Sequence, residues 1–235
     1  MESTEFGPHI SRRFDQELET LRNKVLRMGG LVQDQLQKSI HAVVTGDSEL
    51  GLKVSKDDHK VNMMEVEIDE DCSHILVRRA PAAMDLRLIL MVVKTITDLE
   101  RIGDEAGKIG YLASRLAAME QPDDHYRELK NLASHVLAML EDTLDAFTAL
   151  DIEKAKAVVK EDERVDQEYE AITRHCLTLM TQDPTAIKRV MNVTWAARAL
   201  ERIGDHAKNI SEYVVFLVLG KDVRHTELSE LLKEN

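Results

Sequence analysis

Aromatic side chains are scarce in this chain: one tryptophan, four tyrosines and four phenylalanines in 235 residues. Sheets draw on aromatic and β-branched residues for their packed faces. Their poverty here, beside plentiful Leu, Val, Ile, Ala and Met, points to an all-α fold. The only two cysteines, Cys72 and Cys176, form no CxxC pair and no Cys/His cluster of zinc spacing. A disulfide scaffold is excluded, and a reducing cytoplasm is the expected setting. Long apolar runs are missing as well. Leu88 to Val93 and Val214 to Leu219 are the longest, far short of the ~20 residues that span a bilayer. Met1 to Ile10 has no apolar stretch of signal-peptide type. Positive charge is in deficit, the net value being −12. Nucleic acid needs clustered Lys and Arg, and anionic lipid attracts basic surfaces, so no nucleic-acid binding and no direct membrane insertion are expected. No P-loop, nucleophile elbow or dinucleotide glycine motif is present.

What the chain does have is a repeat. Leu99-Glu100-Arg101-Ile102-Gly103-Asp104 returns as Leu200-Glu201-Arg202-Ile203-Gly204-Asp205, 101 residues later. In each copy apolar residues recur at steps of three and four: Leu99, Ile102, Ala106, Ile109, and Leu200, Ile203, Ala207, Ile210. That spacing is the buried stripe of a helix. A second match, at an offset of 104, pairs Asp47 with Asp151, Val54 with Val158, Asp58 with Asp162 and Cys72 with Cys176. The difference of three places a short deletion between the second and third helices of the second copy.

Two tandem three-helix bundles follow, of six long antiparallel helices: a first unit over residues 1–121 and a second over 122–235. The expected helices are about 11–45, 48–79, 83–119, 124–150, 151–181 and 185–219. A helix of 30 residues is ~45 Å long, so each unit is elongated. Asp47, Asp151 and Asp183 are the expected N-caps, Pro81 and Pro184 the helix starts, and Gly220 the last stop. Gln121-Pro122-Asp123-Asp124 is the linker, and the polar tail from Lys221 to Asn235 adds at most a short helix. Gly29-Gly30 marks a kink or a close helix contact in the first helix.

The chemistry lies in the acids. Glu100 and Asp104, like Glu201 and Asp205, stand four apart on one helical face and repel each other. Asp162 with Asp166 repeats that spacing on the fifth helix. On the second helix Asp58 and Glu65 interrupt an otherwise apolar seam of Val54, Val61, Ile68, Cys72 and Ile75, and Asn62 stands four residues after Asp58. Brought together, such oxygens suit a hard cation such as iron, manganese, magnesium or calcium. The plainer reading is a solvated acidic edge balanced by Lys56, Lys60, Arg164 or the motif arginines Arg101 and Arg202. No histidine follows a glutamate by three residues, which counts against ferritin-like di-iron chemistry. His206, next to Asp205, is either an extra ligand or a surface histidine.

These residues resemble those of the PhoU family of phosphate-uptake regulators, over nearly the whole chain. The resemblance rests on the doubled E-R-I-G-D helix and on Pro81-Ala82-Ala83-Met84-Asp85-Leu86-Arg87, similar to the family's P-x-x-x-D-L-R. It rests also on Val61-Asn62 and Val165-Asp166, similar to its V-[DN] motif. It implies a cytoplasmic, often dimeric protein without catalytic activity that helps silence the phosphate-starvation response. Such a protein couples the PstB ATPase of the phosphate ABC transporter to the PhoR sensor kinase and meets the inner membrane peripherally, through those partners. The resemblance marks Glu100, Asp104, Glu201, Asp205, Asp166 and Asp162 as ligands of divalent or ferric metal (iron, manganese, magnesium or zinc). Asn62 stands where the family carries an acid, with Glu65 as its compensation. A metal-dependent enzyme or metal-storage bundle, and a purely structural dimerisation module, are the rival classes.

Overall fold

The structure is a computed structural model that describes residues 12–81, 83–120 and 126–220. The linker at 121–124, the tail from 221 and the first ten residues lie outside the described residues. Helix α1 runs Arg12–Thr45, α2 Ser48–Asp57, α3 His59–Arg79, α4 Ala83–Ala117, α5 Arg127–Ala149, α6 Ile152–Gln182 and α7 Ile187–Leu219. A 3₁₀ turn at Pro184–Ala186 leads into α7. Six long helical rods result, one of them interrupted.

The interruption corrects the continuous second helix expected from the sequence. At Asp58 the backbone stays right-handed (φ −56°, ψ −33°), but Val61 N–H bonds the Asp58 carbonyl at 2.9 Å, three residues back. This tightened turn separates α2 from α3 without reversing the chain. Its counterpart α6 runs straight through Asp162. Two boundaries also shift. The third rod stops at Ala117, where Met119 N–H bonds the Leu116 carbonyl in a turn, and α7 starts at Ile187, after the 3₁₀ turn. The expected caps hold. Asp47 accepts from Leu50 N–H at 2.9 Å, Asp151 from Glu153 and Lys154, and Asp183 from Thr185. Gly220 ends α7 in the left-handed region at φ 69°.

The apolar stripes of both motif copies are buried: Leu99, Ile102, Ala106 and Ile109 in α4, and Leu200, Ile203, Ala207 and Ile210 in α7. Helices α4 and α7 are the central rods. Each packs on the other helices of its own bundle, and they pack along one another. They run antiparallel: Lys94 lies over Tyr213 and Phe216, and far along the pair Arg189 reaches the Glu120 carbonyl. Helix α1 also meets α5, where Arg22 donates to the Thr148 carbonyl at 2.8 Å. The two bundles therefore share one continuous apolar core. Cys72 and Cys176 are free and buried, one in each bundle.

Glycine decides how close the rods come. A Cβ at Gly110 of α4 would sit 2.6 Å from the Gly51 carbonyl oxygen of α2, closer than such atoms can approach. Gly29-Gly30 makes a contact and no kink: α1 is unbroken, Gly29 is pressed on Leu144 of α5, and Gly30 faces open space. Two substitutions should therefore move stability in opposite directions. Gly110→Leu overpacks a backbone contact and should cost ~3 kcal/mol or more. Gly30→Ala should gain ~0.5–1 kcal/mol by helix propensity alone. Urea unfolding of each variant against the parent chain measures both.

Candidate metal-binding faces

In the first bundle, the buried stripe of α4 turns Glu100 and Asp104 towards the α2–α3 junction. Asp58 sits at that junction and faces both. Gly103 makes the room. A Cβ there would lie 3.0 Å from Asp58 Oδ1 and 3.4 Å from Gln35 Oε1, so the two oxygens hang over the notch. Gln35 comes from α1 and is 3% exposed. Neither of its amide atoms has a hydrogen-bond partner, nor has Asp58 Oδ1. Glu65 joins from α3, accepting from Thr97 Oγ at 3.3 Å and adding negative potential at Glu100. Asn62 is exposed and makes no side-chain hydrogen bond among the described residues.

The second bundle repeats the geometry with α6 and α7. Asp162, 2% exposed, Asp166, Glu201 and Asp205 share one electrostatic neighbourhood. Here basic side chains intervene. Lys208 donates to Asp162 Oδ2 at 2.7 Å and Arg198 to Glu201 Oε1 at 3.0 Å. Asp162 Oδ1 and Glu201 Oε2 stay buried and unpaired. Neither cation was among those expected to balance the acids, although both lie three residues from a motif acid. Of the expected ones, Lys60 pairs with Asp57, Arg164 with Glu161 and Glu168, and Arg202 with Glu105.

His206 corrects both readings offered for it. It is buried, and its Nδ1 lies 2.7 Å from Asp98 Oδ1 of α4, across the seam between the bundles. It is neither on the surface nor directed at the acids. The sequence signal for it was available, because His206 sits between the apolar Ile203 and Ala207, beside the buried stripe.

Crowding and burial raise carboxyl pKa values together. Burial first, then the Asp104 and Glu100 carboxylates, push Asp58 up to about 6. Burial and Asp104 raise Glu100, burial and Asp205 raise Glu201, and burial and Asp162 raise Asp205. Among the described residues no three acidic, imidazole or thiol groups already converge as a finished metal centre. The first bundle nevertheless fits a hard cation: carboxylate and amide oxygens face one notch, Gln35 Oε1 and Asp58 Oδ1 are buried without partners, and no cation among the described residues pairs with the acids. In the second, Lys208 already supplies part of the charge.

A raised native pKa makes the folded chain bind more protons than the unfolded one between the two values, so stability falls as pH rises through that window. For Asp58 the window runs from about 4, the ordinary aspartate value, to about 6. In chelator, Asp58→Asn should raise the urea midpoint at neutral pH and weaken the decline between about pH 4 and pH 6, the window in which the parent's Asp58 ionises.

Comparison with known proteins agrees with this architecture. Residues 25–113 and 129–214 each match the PhoU domain. The phosphate-specific transport system accessory protein PhoU homolog of Pseudomonas aeruginosa is 46% identical over 226 residues, 96% of this chain and 93% of that protein. The phosphate-specific transport system accessory protein PhoU of Escherichia coli is 44% identical over 234 residues, 99% of this chain and 96% of that one. The crystal structure of PhoU from Pseudomonas aeruginosa superposes with a TM-score of 0.85, covering 88% of this chain and 100% of its own. The phosphate transport system regulatory protein PhoU from Streptococcus pneumoniae, 29% identical, gives 0.83 over 89% and 99%. With both repeats matched and relatives aligned almost end to end, the chain belongs to the PhoU family.

Proposed function

We propose that this chain is a non-catalytic adaptor that holds the phosphate-starvation response off when phosphate is abundant. It would do so by linking PstB, the ATPase of the phosphate-specific ABC transporter, to the PhoR sensor kinase. The observation that carries the reading is the near end-to-end match to proteins named as accessory to the phosphate-specific transport system. No described helix is long and apolar enough to cross a membrane; in this reading the chain meets the membrane through its partners. A homodimer on the cytoplasmic side belongs to the same reading. The net charge of −12 suits partners with basic patches, so these contacts should weaken with salt.

The acidic faces enter as cation sites. Asp58, Glu65, Glu100 and Asp104, with Gln35, would hold a divalent or ferric ion in the first bundle. Asp162, Asp166, Glu201 and Asp205 would do so in the second. Such an ion would neutralise the mutual repulsion of the acids. The protein's own part is to hold those oxygens on a helix face rigid enough for a partner to read. A metal-storage bundle is the second reading, favoured by the unpaired buried oxygens in both repeats.

The experiment uses a strain lacking the gene, grown in abundant phosphate, with alkaline phosphatase as the readout. The intact chain should repress the enzyme. A Glu100→Ala, Asp104→Ala, Glu201→Ala, Asp205→Ala variant, shown to be folded by circular dichroism, should repress it less. Failure of the intact chain to repress contradicts the adaptor reading and favours storage. Equal repression by both chains leaves the adaptor and removes the acids from its signalling surface.

A further inference from the structure

The seam between the two bundles carries an open groove of about 460 Å³ with a character unlike the rest of the chain. Lys108, Tyr111 and Arg115 of α4 form one wall, and Trp195, Arg198 and Arg202 of α7 the other. At its floor the buried Glu105 takes two cations, Lys108 at 2.9 Å and Arg202 at 2.6 Å. Arg198 is paired with Glu201. Arg115 makes no ion pair among the described residues, and its guanidinium lies 6.0 Å from the centre of the Trp195 ring. Among the lining residues four cations stand against one carboxylate, Glu105, with Glu201 and Asp205 adjoining only Arg198, in a protein of net charge −12. Two large rings lie open beside them, Trp195 46% and Tyr111 50% exposed. Exposed Trp, Tyr and Arg together are the composition of interface hot spots.

We propose that this groove docks an acidic segment of a partner protein. Its carboxylates would meet Arg115, Arg198, Arg202 and Lys108, and an aromatic or aliphatic side chain would cover Trp195 and Tyr111. Two observations favour a peptide over a small phosphate-bearing ligand. The walls are mid-helix backbone with its N–H groups spent on helical bonds, so the free amides that cradle phosphate are missing. And the groove follows two antiparallel helices for two to three turns, ~15 Å, the span of a short segment. The partner's sign is opposite to that expected from net charge alone. The proposal stands on the seam's side chains and does not depend on the regulatory assignment.

Trp195 is the chain's only tryptophan, so its fluorescence reports on this groove alone. A random-peptide phage library is selected against the full chain, and the enriched peptides are synthesised and titrated while Trp195 emission is followed. The expected consensus holds two or more acids beside an aromatic or aliphatic residue. Binding should saturate and weaken with added salt. Arg115→Glu should lower affinity by about tenfold or more, while Arg115→Lys should keep most of it, circular dichroism showing both variants folded. The proposal is overturned by the absence of an acidic consensus, or by peptides that bind Arg115→Glu as well as the parent. It is overturned also if ATP or inorganic phosphate, and not the peptides, moves Trp195 emission. Sedimentation adds one more contrary result: loss of a dimer in Arg115→Glu would give the groove to a second copy of the chain.

Discussion

The closeness of α4 to the helices beside it is the constraint on which the rest depends. Gly110 lets its backbone touch α2 at Gly51, and Gly103 leaves a notch beneath Asp58 and Gln35. A side chain at Gly110 would lever the rods apart, and one at Gly103 would crowd Asp58, Val61 and Gln35. Because they do not part, carboxylates that would otherwise stand in water are pressed together at the edge of the core. Desolvation and like charge then act in the same direction, raising carboxyl pKa values. An oxygen-lined face without compensating cations is thus a product of helix packing, and helix packing is a product of glycine placement.

The same two central rods tie the repeats together through polar pairs, one buried and one with its arginine open to solvent. Asp98 with His206 and Glu105 with Arg202 cross the seam. Such pairs add little net stability against an apolar alternative, but breaking one leaves a buried polar group without its partner. Both join α4 to α7, the antiparallel pair whose outer sides form the walls of the groove.

Much of this was legible in the sequence, for a simple reason. A repeat, a 3.6-residue stripe, an aspartate cap and a proline start are all local patterns, and each governs local structure. The stripe through Leu99, Ile102, Ala106 and Ile109 is buried as its spacing requires. What periodicity left open was lateral: which neighbour each polar side chain meets. Gln35 looked like any glutamine on a long helix, yet it hangs over the Gly103 notch. His206 follows Asp205 in sequence but points across to Asp98. Lys208 reaches Asp162 on another helix, so its role depends on how α6 sits against α7. The break at Asp58 was hidden because its seam keeps the heptad rhythm straight through it.

The two faces have the same origin and differ in charge. In the second bundle Lys208 and Arg198 hold two of the acids, whereas in the first no cation among the described residues pairs with Asp58, Glu100 or Asp104. On that difference we propose the first bundle as the stronger cation site, although Asn62 had pointed the other way. Calorimetric titration of manganese(II) into the full chain, and into folded Asp58→Asn and Asp162→Asn variants, tests this most directly. The expected result is binding by the parent chain that Asp58→Asn weakens far more than Asp162→Asn does. Binding that is absent from the parent, or lost equally in both variants, would contradict it.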